Sequence, residues 1–341
     1  MKVSFSTVAT ASAALIVFLP LAISASAADF SAKQVTVQVP SGSGGTYHVY
    51  CQIVTRHLGK HLPGKPTVVI QNLPGAGGAK SASYMANAAP KDGSMLAMIA
   101  PGNISGALVR ELKFDAREFN WLGSLAARGN GIALWHTVPV GNLEDLKKTE
   151  VTIGSTGRTS AGSIFPLLTN KLLGTKMKLV IGYKGGGAVN LAIERGEVQG
   201  RWNYYSGFTG VRPEWIEKKL IKFVLLFGPP NPATEGVPHM ADLLKPGTPE
   251  RKMYDVLAMD LNIGQGFYLP PGASKDVVTA VHKAFDDMLA DPATRKEVEA
   301  RRIEWSPLNA DQIGKELKRG FDAATPDVVQ ELQGLMAQGK S

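Results

Sequence analysis

Val35-Thr36-Val37-Gln38-Val39-Pro40-Ser41-Gly42-Ser43-Gly44-Gly45-Thr46-Tyr47-His48 decides the fold. Val35–Val39 alternates apolar and polar residues and is rich in β-branched side chains, the signature of a strand. Pro40 and the glycines that follow break it. From Thr46 the apolar residues recur at helical spacing, at Tyr50, Ile53, Val54 and Leu58, until Gly59 and Pro63 close the segment. A strand that runs through a glycine loop into a helix is the first unit of an α/β sheet.

The same alternation continues on both sides of the loop's partners. Thr67–Gln71 and Met95–Ala100 read as strands, with Gly78–Ala89 as the helix between them. Gly131–His136, Val151–Gly154, Leu179–Gly182 and Leu220–Phe227 read as further strands. Leu143–Lys148, a segment from about Ser160, and Ala188–Arg195 with Gly196 as its cap read as helices. The pattern predicts parallel α/β sheets. Six prolines make 228–249 a loop, Ile263–Leu269 a strand, and Ser274 the cap of a helix carrying Val277, Val278, Val281, Phe285 and Met288. The last segment is helical and amphipathic, with a short strand near Arg302–Trp305.

Length and composition narrow the class. The chain has 341 residues, 44% of them hydrophobic, which predicts two domains with real cores. Residues 1–27 read as a secretory leader: Lys2, an apolar stretch from Val8 to Ile23, and Ala25-Ser26-Ala27 as the cleavage site. Cleavage after Ala27 gives a mature chain from Ala28 with no later stretch apolar enough to span a bilayer. The one cysteine, Cys51, excludes an internal disulfide and lies too far along to be a lipidated first residue. It sits on the apolar side of the first helix, which favours a buried structural thiol over a nucleophile. These features place the protein in a periplasm. There are 37 Lys and Arg against 29 Asp and Glu, an excess that suits an anionic ligand. The basic residues are scattered with no interleaved aromatic stripe, which argues against nucleic acid.

Two glycine-rich loops follow strands and open helices: Ser41–Thr46 and Ser155-Thr156-Gly157-Arg158-Thr159-Ser160. Backbone can come close to a ligand at glycine, and helix N-terminal amides face negative charge. In open α/β sheets ligands bind at the carboxyl ends of strands, so the pair predicts a cleft that holds a carboxylate from two sides. Arg158, the one charged side chain of the second loop, is a candidate for bidentate contact with it.

Enzyme signatures fail on inspection. Gly59–Lys65 has P-loop spacing, but Pro66 stands where Ser or Thr is required. Gly42-x-Gly44 begins a dinucleotide fingerprint that Tyr47 ends, and no G-x-S-x-G elbow occurs. His57 and His61 are four apart, with no carboxylate between them and a helix end around them. No catalytic residue, metal site or cofactor is expected.

The loops, in this order behind a leader, resemble the substrate-binding proteins of tripartite tricarboxylate transporters, the Bug or TctC family. Four stretches carry the resemblance: Val39-Pro40 with Gly44-Gly45-Thr46-Tyr47-His48; Gln71-Asn72-Leu73-Pro74-Gly75-Ala76-Gly77-Gly78; Ala89-Pro90-Lys91-Asp92-Gly93; and Tyr183-Lys184-Gly185 with Leu269-Pro270-Pro271-Gly272. It covers essentially the whole mature chain. It implies a type II periplasmic binding fold, two α/β domains joined by two crossover strands with the ligand between them. Domain one would be Ala28–Ala127 with Gly264–Ser341, and domain two Arg128–Ile263. It implies a monomer that captures a small organic acid, a dicarboxylate, tricarboxylate or aromatic acid, for the membrane subunits of a secondary transporter, without inserting in the membrane itself. A ligand-sensing subunit for a sensor kinase and an enzyme on the same fold are the alternatives. The ligand-binding residues implied are Ser43, Gly44, Gly45, Thr46, Tyr47 and His48; Gly75, Ala76, Gly77 and Gly78; Ser155, Thr156, Arg158, Thr159 and Ser160; and Tyr183 and Asn203. The chain departs from the family where His48 replaces the usual Asp and Gln52 an Arg. It departs again where Gln199-Gly200-Arg201-Trp202-Asn203-Tyr204-Tyr205 follows Gly196-Glu197-Val198 in place of small or acidic residues.

Overall fold

The computed structural model describes residues 1–2, 28–43, 46–110, 112–157, 160–230, 234–301 and 303–337. The leader expected up to Ala27 lies almost wholly outside the described residues, as do Gly44, Gly45, Arg158 and Thr159. Among the described residues no helix is long and apolar enough to cross a membrane.

The chain begins with β1 (Gln34–Val39), α1 (Thr46–His57), β2 (Thr67–Asn72), α2 (Ala79–Asn87), β3 (Met95–Met98), α3 (Gly106–Val109) and β4 (Asn120–Ser124). It then crosses to β5 (Asn130–Trp135), α4 (Leu143–Lys148), β6 (Val151–Ser155), α5 (Ala161–Leu173), β7 (Met177–Ile181), α6 (Gly186–Glu194), β8 (Gly200–Tyr204), α7 (Tyr205–Thr209), α8 (Pro213–Glu217) and β9 (Ile221–Phe227). After α9 (Met240–Leu243) and α10 (Pro249–Ile263) it returns through β10 (Gly266–Leu269), α11 (Lys275–Ala290), α12 (Pro292–Ala300), β11 (Leu308–Asn309), α13 (Ala310–Ala323) and α14 (Pro326–Ala337).

Two sheets result, ordered β11-β4-β10-β3-β1-β2 and β7-β6-β8-β5-β9. The expectation of parallel sheets holds for β1 with β2 and β3, and for β6 with β7 and β8. It fails for β10, which runs antiparallel to β3 and β4, and for β5, antiparallel to β8 and β9. The reason is the crossing itself. β4 leaves the first sheet at the carboxyl ends of its parallel strands and β5 enters the second sheet at the same level, so it must run outward against its neighbours. β9 and β10 repeat the manoeuvre on the return.

α1 forms the expected face: Tyr50, Cys51, Ile53 and Val54 are buried against β1 and β3. Burial pushes the Cys51 thiol far up from its ordinary range. A second core runs from Trp121 and Tyr268 of the first sheet through α10 to Ile132 and Phe227 of the second, so one apolar body spans both lobes. Phe119 stacks on Tyr268 at 4.2 Å within it.

Four readings need correction. The strand expected over Ile263–Leu269 starts only at Gly266, because Ile263 ends α10 and Gly264 (φ 59°, ψ −108°) breaks the chain direction. The short strand expected at Arg302–Trp305 is absent at Ile303–Trp305, where Trp305 packs on the first core; the pairing with β4 comes at Leu308–Asn309. The loop over 228–249 contains α9. α10, the longest buried helix in the cleft wall, went unread because the prolines before it masked its start signal. Thr248 accepts from the Arg251 amide and Pro249 occupies the first turn, a capped start of ordinary form.

Candidate functional site

A cavity of about 550 Å³ lies between the sheets, bounded by the carboxyl ends of the parallel strands of both. That is within the range of small-molecule sites. Tyr47, Ala76, Gly77, Gly102, Ser105 and Arg110 supply the first wall, and Ser155–Gly157, Ser160–Gly162, Gly186 and Arg201–Tyr204 the second. Leu257, Asp260 and Leu261 of α10 close its side.

The first wall is a set of loops tied together from behind. Gly75, Ala76, Gly77 and Gly78 all have positive φ (144°, 48°, 63° and 94°), a run that glycine adopts readily and Ala76 does not. It brings Ala76 and Gly77 to the cavity. A side chain at Gly78 would press on Asn103 and Pro40, so the loop can approach only without one. Asn103 donates from Nδ2 to the carbonyls of Gly77 and Ala100, both at 2.9 Å, joining the turns after β2 and β3. Asp260, fully buried, accepts from the amides of Gly102 (2.9 Å), Ile104 (3.1 Å) and Ser105 (3.2 Å). Burial raises its carboxyl above the ordinary range against the pull of those donors. Arg110 donates from Nη2 to the Gly102 carbonyl at 2.7 Å.

In the second wall three hydroxyls are engaged with one another. Ser163 donates to Ser155 Oγ at 2.9 Å, Ser155 and Ser160 are 2.9 Å apart, and Ser160 donates to the Gly157 carbonyl at 2.7 Å. Read in that order, the relay uses all three hydroxyl protons inside the loop and holds its shape at the start of α5. Arg201 is 9% exposed and donates only to neutral acceptors: the Gly186 carbonyl (2.8 Å) and Asn190 Oδ1 (2.7 Å) from Nη1, and more weakly the Trp202 carbonyl from Nε. Desolvation lowers its pKa to about 10, so it remains cationic at neutral pH. Trp202 stacks on Phe165 with centroids 5.1 Å apart, and its buried Nε1 has no partner among the described residues.

The structure brings Tyr47, Ala76, Gly77, Ser155, Thr156, Ser160 and Asn203 to one cavity. Thr46 starts α1 beside it, and Ser43 is exposed before α1. Gly75 and Gly78 shape the loop from outside the lining. His48 also stands outside, its Nδ1 3.2 Å from Asn72 Nδ2. Tyr183 covers Gly154 from behind the strand end, without lining the cavity. Arg110, Arg201, Trp202, Tyr204 and Asp260 were missed. Arg201 had a signal, an arginine near the start of a strand in the stretch where the chain leaves the family pattern. Asp260 had none, because its helix was unread. His57 and His61 face different carboxylates, Glu297 at 2.7 Å and Asp291 at 3.2 Å. Among the described residues no group of three metal-ligating side chains occurs.

A wider hollow, about 1040 Å³, opens between the segment after β9 and α13. Its arginines are matched by acids: Arg251 with Asp255 at 3.0 Å and Arg319 with Glu316 at 2.7 Å. The cleft arginines have no such partner among the described residues.

No protein-family model matches the chain, and no curated protein does. Solved structures do match. A TctC solute-binding protein from Polaromonas, without ligand, is 15% identical with a TM-score of 0.67, over 90% of this chain and 98% of that one. A Rhodopseudomonas palustris protein solved with adipate is 21% identical with a TM-score of 0.65, over 90% and 99%. MatC of Rhodopseudomonas palustris with bound malate is 19% identical with a TM-score of 0.62, over 86% and 99%. The chain has the two-lobed α/β fold of these solute-binding proteins.

Proposed function

We propose that this chain is a periplasmic solute-binding protein that captures a small organic acid and delivers it to the membrane subunits of a tripartite tricarboxylate-type transporter. The observation that carries the reading is the cavity between two lobes joined by two crossings, walled by close-approaching glycine loops and a buried cation. The fold is that of proteins solved with adipate and malate, which supports the same ligand chemistry here. Tyr47, Ala76, Gly77, Ser155, Thr156, Ser160 and Asn203 form the ligand site, with Gly44, Gly45, Arg158 and Thr159 completing the two loops. Residues 28–127 with 264–341 make one lobe and 128–263 the other, closing on the ligand about the crossings. Capture needs no chemistry on the ligand. The protein is a secreted monomer processed after Ala27.

A thermal-shift panel of organic acids, neutral sugars and amines tests the proposal. At a hundredfold excess over Kd a ligand adds about 2.7 kcal/mol of stability. Acids alone should raise the melting temperature and be recovered unchanged. A shift produced only by sugars, or turnover of an acid, overturns it. N-terminal sequencing from periplasmic extract should begin at Ala28.

A further inference from the structure

Arg201 is enclosed in the second wall, and among the described residues its hydrogen bonds use Nε and Nη1 only. Removing a guanidinium from water is costly, and neutral carbonyl and amide oxygens offset that only in part. The fold nevertheless builds a seat for it. The Cα of Gly186 lies so close to the guanidinium that an added Cβ would stand 3.2 Å from both Nη1 and Nη2. Asn190, itself buried, holds Nη1 at 2.7 Å. Arg110 on the facing wall is half-buried and lies over Gly106, with Nη2 on the Gly102 carbonyl. Neither forms an ion pair with any described residue, whereas both arginines of the wider hollow do. Among the described residues the one carboxylate in the cavity lining, Asp260, is turned to three backbone amides. Among the described residues the cleft therefore carries two cationic side chains, one per wall, with no acidic partner.

We propose that Arg201 and Arg110 are the two charged anchors of the cleft and set its specificity by holding an acid ligand end to end between the walls. One carboxylate sits on Arg201, the principal anchor, and the other on Arg110. This rests on the reading of the cleft as an organic-acid site and deepens it. A guanidinium offers paired donors that match a carboxylate, so Arg201 fixes orientation as well as charge. An anion bridging the two arginines also links the lobes, so the second carboxylate favours the closed arrangement.

Calorimetry on the full mature chain decides the matter, with the α,ω-dicarboxylates from succinate to adipate and the monomethyl ester of each. In wild type the tightest diacid should bind at least about tenfold more strongly than its half ester, the loss of one charged hydrogen-bonded contact. Arg201→Gln should weaken both by about tenfold or more, and Arg110→Gln should bring the diacid down to the half ester. If wild type binds no acid in the thermal-shift panel, the organic-acid reading falls and this inference with it. If wild type binds acids but half esters match diacids, or R201Q keeps full affinity, the inference alone is overturned. Should R201Q lose its melting transition, Arg201→Lys, which retains charge without the fork, and the wild-type ratio decide.

Discussion

The guanidinium of Arg128 lies 4.0 Å from the centre of the Tyr204 ring and 4.9 Å from that of Tyr47. Arg128 lies on the segment between β4 and β5, with Tyr204 at the end of β8 and Tyr47 in α1, so one buried cation is held by aromatics from both lobes. Its amide donates to the Leu261 carbonyl at 2.8 Å, and the Gln265 side-chain amide stands against Nε and Nη2, where only its oxygen can accept from them. Planar stacking on an aromatic face suits arginine and not lysine. Arg128→Lys should therefore destabilise the protein by about 2–4 kcal/mol, read as a lower urea midpoint. An unchanged midpoint would show that the flat guanidinium is immaterial there.

Glu304 lies close to Arg128 and to the Ser206 hydroxyl at the same junction. Burial pushes its carboxyl up from 4.5 to about 7, against the attraction of Arg128 and the hydrogen bond from Ser206. A carboxyl raised in the folded state contributes stability that is fully present below about pH 4.5 and lost as pH rises through about 7. The difference in unfolding free energy between wild type and Glu304→Gln should thus change by on the order of 2–3 kcal/mol between pH 4.5 and 7.5, with wild type losing ground. A constant difference across that range would remove Glu304 from the account of pH dependence.

Gly264 ends α10 at φ 59° and ψ −108°, and a Cβ there would strike the Ala126 carbonyl and come within 2.8 Å of the Ala127 Cα. Both obstacles are backbone of the other crossing, which also pairs through the Gln265 amide to the Ala126 carbonyl at 2.8 Å. Gly264→Ala should cost about 2–4 kcal/mol, whereas Gly314→Ala, where a Cβ meets nothing within 4 Å, should be neutral or slightly stabilising. Equal melting temperatures for the two variants would contradict the close approach.

Asp260 accepts three amides of the 102–105 turn, which an amide side chain cannot do. Asp260→Asn turns an N–H₂ toward at least one of those donors. It should lower stability without ligand by about 1–3 kcal/mol, checked by denaturation of the apo protein. No change would mean the turn is held by other contacts.

The sequence by itself determined the local units and their class. Period-two alternation at Val35–Val39 and helical spacing from Thr46 depend only on neighbours in the chain, so both were legible. So was the left-handed stop at Gly196, φ 74°, after α6. The glycine loops also announced themselves, because a loop that approaches a ligand must dispense with side chains locally. Tertiary structure alone decided strand direction at β5 and β10, since direction follows from where the chain re-enters a sheet and leaves no periodic trace. It decided that Arg201 lines a cavity with no acid paired to it among the described residues, while Arg251, equally charged, has Asp255 beside it. It also placed Asp260 under the 102–105 turn, more than 150 residues away in the chain. Whether a charge is a surface ornament or an unpaired anchor depends on which distant groups share its enclosure, and only the folded chain brings those groups together.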